Sequence, residues 1–351
     1  MGVYTALEFA QMSQFSINSQ EEPRTGRDLI NATVPFAKES AKASWLHVGS
    51  TFAMLVAALV GAGMSPWWPV RLAFSLFAAL LMVRSFIFYH DYMHRAILVR
   101  SRVAWFLFRV YSALSLTPPR SWKDTHNYHH GHVGQLDDSG IGAFPVMTTK
   151  DWATASWTTK ANYRITRHPL TVLAGYLTIF LFSLTLLPLL KDPARHWDSL
   201  LSLLGHVGLI AVLWFLGGFS TAFFVMLLPI AVASTLGSYL FFAQHSYKGM
   251  KILPEEDWSY HAAAMESSSF MQLSKVMHWF TGNIGFHHIH HLNVRIPFYR
   301  LPEAMSAIPE LQSPVVTTLK PRDILASFRC CLWDEDRQQA VTYREAARLA
   351  A

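Results

Sequence analysis

The chain alternates long apolar runs with polar, basic segments. Five runs approach the roughly 20 residues with which an α-helix crosses a bilayer, and they span residues 46–64, 70–89, 170–190, 200–219 and 221–242. The first two are separated by SPWWP (residues 65–69), a proline-rich turn whose tryptophans suit a membrane interface, so they predict a tight helical hairpin. A weaker run, 103–116, contains Arg109 and ends near two prolines, which predicts an interfacial or re-entrant helix.

Charge predicts the orientation of these runs. Lys and Arg are concentrated between residues 89 and 170 and after residue 242, whereas the turn at 65–69 contains neither. Because cytoplasmic segments carry an excess of Lys and Arg, we expect both basic segments and the N-terminus on the cytoplasmic side. Three apolar runs separate the two basic segments, so one must be interfacial or must enter and leave on the same side. We predict an all-α integral membrane protein with four transmembrane helices in two hairpins, interfacial helices and a cytoplasmic helical cap.

Composition agrees with a membrane protein. Hydrophobic residues make up 52% of the chain and charged residues 15%, against about 25% charged residues in average proteins. The net charge is +6, but basic residues flank apolar runs, so topology explains them and no nucleic-acid partner is expected. We predict a cytoplasmic N-terminal segment (1–44) without a signal-peptide pattern, a membrane domain (45–305) and a cytoplasmic tail (306–351). The tail contains the only two cysteines, Cys330 and Cys331, which we expect to be reduced thiols.

Most of the 17 histidines fall into three clusters. The clusters are HDYMH, with His90 and His94; HNYHH, with His126, His129 and His130; and HHIHH, with His287, His290 and His291, and His288 besides. Residues at i, i+3 and i+4 lie on one face of a helix, so each cluster can direct its rings at a common point. His245, alone after the last apolar run, brings the count to nine imidazoles on the cytoplasmic side, a natural set for two metal ions.

The chemistry of these nine side chains restricts the type of metal site but does not identify the metal. No Glu-x-x-His motif occurs, so a carboxylate-bridged di-iron site of the helix-bundle type is not indicated. Imidazole suits iron, copper and zinc, so ligand type does not choose among them.

The order HxxxH, HxxHH and distal HxxHH between membrane hairpins resembles the membrane fatty acid desaturase superfamily. The stretches NIGFHHIHHLNVRIPFYRLPEA (residues 283–304), PRSWKDTHNYHHGH and VPFAKESAKASW are similar to bacterial acyl-lipid desaturases of the omega-6 or delta-12-like branch. The resemblance covers about residues 33–305 and implies two non-haem irons, molecular oxygen as co-substrate and an external electron donor. It implies as ligands His90, His94, His126, His129, His130, His245, His287, His290 and His291. The superfamily spacing favours His287 over His288.

Three further polar residues could support the ligands. Arg84, inside the second apolar run, is expected to pair with Asp91 or with a lipid headgroup, because a membrane arginine is costly alone. Asp91 could instead accept the Nδ1–H of a ligand histidine, and Gln244 lies beside His245. The other histidines are expected to be structural or exposed, except that His132 could support its cluster and the buried His206 could mark either a functional site or a helix contact.

Together these features predict an oxygen-dependent fatty acid desaturase in a bacterial inner membrane, with its active site on the cytoplasmic face. The same scaffold supports lipid or carotenoid hydroxylases and ketolases, which remain an alternative. A metal transporter is a distant one, since the apolar runs contain few polar residues. No haem or flavin motif is present, so electrons would come from a ferredoxin or small haem cytochrome. The basic residues that could receive such a carrier are Arg95, Arg100, Arg102 and Lys123. The acyl carrier could be a glycerolipid, CoA or a carrier protein.

Overall fold

The computed structural model describes residues 22–136 and 141–349, and these are mainly helical. The α-helices are α1 (Gly26–Thr33), α2 (Ala41–Met64), α3 (Trp68–Met93), α4 (Arg102–Leu114), α5 (Pro119–His132), α6 (Thr149–Thr154), α7 (Trp157–Thr166), α8 (Pro169–Leu173), α9 (Leu187–Lys191), α10 (Trp197–Ala222), α11 (Leu228–Ala243), α12 (Tyr260–Glu266), α13 (Lys275–Phe280), α14 (His287–Leu292), α15 (Leu301–Ala307), α16 (Pro321–Arg329) and α17 (Tyr343–Leu349). Two π-helical segments span Tyr176–Leu186 and Phe223–Leu227, and 3₁₀ turns span Val34–Ala37, Phe298–Arg300 and Pro309–Leu311.

The first hairpin joins α2 and α3 through the SPWWP turn, as predicted. The Ser40 hydroxyl accepts the Ala43 N–H at the start of α2, which satisfies a free donor of its first turn. Small residues then allow close packing: Ala58 of α2 lies in one cluster with Ala78 and Ala79 of α3. Both helices are long and apolar enough to cross a membrane.

A third apolar stretch, Trp197–Ala243, is 47 residues long. A straight helix of that length would measure about 70 Å, more than twice the hydrocarbon core of a bilayer. The stretch is broken at Gly218, whose φ of 74° and ψ of 175° are not helical. Glycine adopts a positive φ without the steric cost that a Cβ imposes, so the chain can turn sharply here.

Contacts at the two ends and the middle of this stretch show that it folds back. Near its start, Asp198 accepts the backbone N–H of Arg120 in α5. Its middle lies at the opposite end of the molecule, because Arg71 at the start of α3 bonds the hydroxyls of Ser220 and Thr221. The chain then returns through α11, which packs along α3. The helices α10 and α11 therefore form a second hairpin.

The run 170–190 behaves differently from these four helices. It forms α8, an 11-residue π-helical segment and α9. Just before it, Arg167 donates to the Ser246 hydroxyl that follows α11, and just after it, Arg195 pairs with Asp124 of α5. The run therefore enters the helical layer and returns to the same end, which is the arrangement that the charge distribution requires of one segment.

The cap over this end contains the rest of the chain, including two small sheets that the all-α prediction omitted. Strand β1 (Phe270–Gln272) pairs in parallel with β2 (Val316–Thr318), and β3 (Leu332–Asp334) pairs antiparallel with β4 (Gln339–Val341). The β1–β2 pair joins the segment after residue 305 to the segment before it.

Candidate metal centre

Nine histidines meet where the two hairpins reach the cap. They form two groups, and in each group one ring nitrogen per residue lies within 4.8 Å of the others. The five-histidine group consists of His90, His94, His126, His130 and His290, and the four-histidine group of His129, His245, His287 and His291. The structure thus brings together all nine histidines that the sequence singled out.

Each HxxHH cluster is divided between the groups. On α5, the rings at i and i+4, His126 and His130, join the five-histidine group, whereas His129 at i+3 joins the other. On α14 the division is reversed, with only His290 at i+3 in the five-histidine group. At 3.6 residues per turn, position i+4 is rotated about 40° one way from i and i+3 about 60° the other way. Both helices therefore lie between the two groups and contribute to each.

The ring nitrogens are spaced as ligands of a common ion would be. The Nε2 atom of His130 lies 3.1 Å from that of His126 and 3.2 Å from that of His290. In the other group, the Nε2 atom of His287 lies 2.9 Å from that of His245 and 3.1 Å from that of His291. Two nitrogens about 2.1 Å from a metal ion and at right angles to each other are about 3 Å apart.

A buried ring nitrogen without a hydrogen-bond partner also indicates a metal site. The Nε2 atom of His94 is buried without a hydrogen-bond partner among the described residues. A buried polar atom without a partner is costly, and a metal ion in the five-histidine group would satisfy this one. The donor set therefore fits two metal ions.

Hydrogen bonds fix the orientation of rings in both groups. The Nδ1–H of His90 donates to Asp91 at 3.1 Å, and that of His245 donates to the Ser267 carbonyl at 3.0 Å. Such bonds leave the Nε2 lone pair free for a metal and hold the ring in place. Asp91 thus lies within hydrogen-bond distance of the ring that its expected second role requires. Its other oxygen accepts the backbone N–H of Phe298 at 2.7 Å.

Burial also favours the neutral ring that binds metal. Burial, followed by the neighbouring imidazoles, lowers the pKa of His130 and of His291 well below the usual value. Burial lowers the pKa of His245 to about 4, partly opposed by its bond to the Ser267 carbonyl. Because only neutral imidazole can ligate a metal, these rings are in the ligating form at neutral pH.

The nearby histidines outside the groups have other partners. His288 follows His287 directly, but its Nε2 atom bonds the Leu311 carbonyl at 3.1 Å. His132 stacks on Tyr128 with ring centroids 3.8 Å apart. His206 donates to the Leu114 carbonyl and accepts from the Tyr176 hydroxyl, so it connects helices.

Arg84 and Gln244 also have structural partners. Arg84 bonds the Trp279 carbonyl and the Thr51 hydroxyl, and its guanidinium lies 4.1 Å from the centre of the Trp279 ring. These partners replace the expected pairing with Asp91. Gln244 donates to the Ile284 carbonyl at 2.7 Å, close to the rings but not to one of them.

A cavity of about 730 Å³ extends from the histidines along the helices. Both groups border it, through His90 and His126 on one side and His287 on the other. Its apolar lining includes Val83, Phe86 and Ile87 of α3, Phe180, Leu184 and Leu187 of the returning segment, and Leu240 and Phe241 of α11. Near α5 and α9 the lining becomes polar, with Asp124, Lys191, Arg195 and His196. Such a cavity suits a long hydrocarbon with a polar end.

Comparison with known proteins identifies the family. The family model for fatty acid desaturase matches residues 66–318. The chain belongs to the fatty acid desaturase family. This confirms the resemblance inferred from the histidine clusters and implies an oxidoreductase.

Its relatives include several named desaturases. A fatty acid desaturase of Bacillus subtilis is 30% identical over 91% of both chains. An sn-1 oleoyl-lipid 12-desaturase of Synechocystis sp. is 23% identical over 82% of both chains. An sn-1 acyl-lipid omega-3 desaturase (ferredoxin) of Nostoc sp. is 27% identical over 55% of this chain and 54% of its own.

Sequence reasoning missed three features around these histidines: the Trp122 contact, the cavity wall of α3 and the Ser267 contact. The Trp122 ring stacks on His126 with centroids 4.3 Å apart; its position one turn earlier on the same helix face could have indicated this contact. Similarly, Val83, Ile87 and His90 are spaced i, i+4 and i+7, so the cavity wall of α3 continues the face that carries a candidate ligand. By contrast, nothing in the sequence indicates that Ser267 orients His245.

Proposed function

We propose that this desaturase introduces a double bond into a long acyl chain at two histidine-bound irons, with molecular oxygen and two electrons. The single observation that carries the proposal is that both histidine groups border the same apolar cavity. A hydrocarbon in the cavity would have its methylenes next to both proposed metal positions. The names of the relatives, a fatty acid desaturase and an oleoyl-lipid desaturase, support an acyl substrate.

The nine histidines would hold the metals, five at one position and four at the other. When bound, the irons supply the oxidising chemistry, by which two hydrogens of adjacent methylenes, molecular oxygen, two electrons and two protons yield a double bond and two waters. Asp91 and Ser267 keep the Nε2 atoms of His90 and His245 directed inward. Trp122, buried and stacked on His126, would hold that ring in its orientation on α5.

The apolar walls position the chain. Along α3, Val83 lies seven residues before His90, which is about 10 Å deeper in the helical layer. Gly237 of α11, also in the lining, has only the Phe180 ring in contact range of a Cβ, at 3.8 Å. The methyl end of the acyl chain would lie in the part of the cavity next to Val83 and Gly237. Its carboxyl end would lie at the polar end of the cavity.

For the membrane placement, we propose four crossings, by α2, α3, α10 and α11, with the histidines on the cytoplasmic face of a bacterial inner membrane. The two fold-back hairpins and the returning segment 170–190 support this arrangement. Reporter tags should place the C-terminus in the cytoplasm and the turn at Trp67–Trp68 on the opposite side. A C-terminus outside the cytoplasm would contradict the proposed topology.

Expression in a host without desaturases tests the activity. Mass spectrometry of total fatty acids with double-bond localisation should reveal a new monounsaturated chain, absent for His130→Ala and present for His132→Ala. Hydroxylated instead of unsaturated fatty acids would favour the hydroxylase alternative. An unchanged profile with iron-loaded, membrane-inserted protein would contradict both.

A further inference from the structure

The cavity of about 730 Å³ proposed to hold the acyl chain is called the acyl cavity below. A second opening reaches the five-histidine group from a different face of the protein. It is a groove of about 420 Å³, and His94, 7% exposed, is the candidate ligand in its lining. Its other lining residues are Tyr92, Met93, Arg95, Val99, Lys123, Asn127 and Val294. We call this surface the His94 groove.

Positive charge surrounds the His94 groove. Arg95 and Lys123 line it, and the exposed Arg295 follows its lining residue Val294. An adjoining groove that shares Tyr92, Met93 and Lys123 adds Arg109 and Arg120. Within residues 22–136 and 141–349, none of these five side chains forms an ion pair with a carboxylate. The Arg120 guanidinium donates instead to the Arg195 carbonyl at 2.6 Å. Like charges repel each other, so such a cluster is costly unless a partner compensates it.

The other approaches to the histidines lack this character. The acyl cavity is mainly apolar. Its lining contains Arg195, which is paired with Asp124 at 2.6 Å, and Lys191 at the end of α9. A narrow pocket of about 40 Å³ reaches His129 and His245, but its lining cation, Lys251, is paired with Glu266 at 2.7 Å. A cluster of several basic side chains without ion pairs, one of which directly follows a candidate ligand in the chain, therefore distinguishes the His94 groove.

The backbone at this point is itself unusual. Arg95 adopts a φ of 60°, in the left-handed region that side chains other than glycine rarely enter. The strained turn ends α3 and places the Arg95 side chain at the groove directly after His94. Strain of this kind persists where the surrounding structure maintains it, and it clusters at functional sites.

We propose that the His94 groove is the docking surface for a small acidic one-electron carrier protein, whose electrons enter the metal centre on the His94 side. This inference rests on the proposed function, since it concerns the reductant of that site. Each docking would oxidise the carrier by one electron, which would pass to the irons that the nine histidines would hold. Two dockings supply the two electrons that, with two protons from water and one molecule of oxygen, balance the formation of one double bond.

Binding of an acidic [2Fe–2S] ferredoxin to the iron-loaded, detergent-solubilised protein tests this surface without turnover. Complementary surface charges accelerate association and make it sensitive to salt. We expect the double variant Arg95→Glu/Lys123→Glu to raise the Kd at least about 10-fold and to flatten its salt dependence. Arg344→Glu/Arg348→Glu, which reverses two exposed cations of α17, is the matched charge reversal and should leave the Kd unchanged. Iron content and thermal midpoint establish that each variant is folded.

The results of this binding experiment distinguish a failure of the docking proposal from a failure of the proposed function. Equal ferredoxin affinity for Arg95→Glu/Lys123→Glu and for Arg344→Glu/Arg348→Glu would overturn the docking proposal, even if the protein forms double bonds. The expected loss of affinity would support it, even if no double bond is detected, and the proposed function would then fail alone. If Arg95→Glu/Lys123→Glu instead lost binding to vesicles containing anionic phospholipid and kept ferredoxin binding, the groove would be a membrane contact and the proposal would be wrong.

Discussion

The two histidine groups differ in how their members are supplied. All five rings of one group come from the three clustered motifs, and two of them, His90 and His94, come from the end of the long helix α3. The other group has four rings and is incomplete without His245, which follows α11 outside every motif. The first group can therefore lose a ring and still have four, whereas the second would be left with three.

This difference has a chemical consequence. If each group held one metal ion, five protein ligands would leave fewer coordination positions open than four, and open positions are what a catalytic metal needs. We infer that the four-histidine position is the more easily emptied and the more exposed to exchange.

The largest effect is expected where a ring at the contact between the groups is removed. His130 stacks on His291 with centroids 4.1 Å apart, so each lies against the other group. His130→Ala and His291→Ala should each lower desaturation at least about 100-fold and reduce bound iron, measured by product analysis and elemental analysis of purified protein. His132→Ala is the matched control on α5. Near-normal turnover in both ligand variants would contradict the di-iron assignment.

Next, His245→Ala and His94→Ala compare the groups directly. With three rings left, the four-histidine position should empty, so His245→Ala should retain about half the iron and lose nearly all desaturation. His94→Ala leaves four rings and should retain more iron, although its activity is also lost because the geometry changes. The iron content per protein is measured for both variants after identical purification. Less iron in His94→Ala than in His245→Ala would refute the asymmetry. Full iron content with full activity in His245→Ala would remove His245 from the site.

A smaller effect is expected from Asp91, which orients only one ring of the five-histidine group. Asp91→Asn keeps the size of the side chain but replaces the carboxylate that accepts from His90. Loss of such outer partners typically lowers metal affinity or activity about 10- to 100-fold. We expect activity to fall within this range while most iron is retained. An iron loss as large as that of His245→Ala would show that the two groups are equally fragile.

The smallest effect concerns His288, a buried ring next to the four-histidine group but bonded away from it. His288→Ala leaves the Leu311 carbonyl without this partner, which costs about 1–3 kcal/mol and corresponds, for a chain of 351 residues, to a fall in Tm of about 1–4 °C. Iron content and specific activity should stay close to wild type. A loss of iron comparable to His245→Ala would show that His288 is a ligand after all.

The sequence by itself determined which side chains could hold metal. The i, i+3, i+4 spacing made the HxxHH clusters visible, and the apolar run before His245 placed that ring at the same end. The lengths of the first two apolar runs and the SPWWP turn between them likewise predicted the α2–α3 hairpin. These inferences succeed because helix periodicity and bilayer thickness are local constraints that a single chain segment must satisfy.

Other features depended on the tertiary structure. The spacing shows that His129 and His130 share a helix face, but their division between two groups depends on where α5 and α14 pack. The return of the run 170–190 also depends on the contacts of Arg167 and Arg195 with elements distant in sequence. Likewise, Arg84 has a backbone carbonyl and aromatic rings as neighbours instead of Asp91, because α13 packs against α3. Periodicity describes one helix at a time, whereas the partner of a buried charge and the group that a ring joins are set by the packing of several.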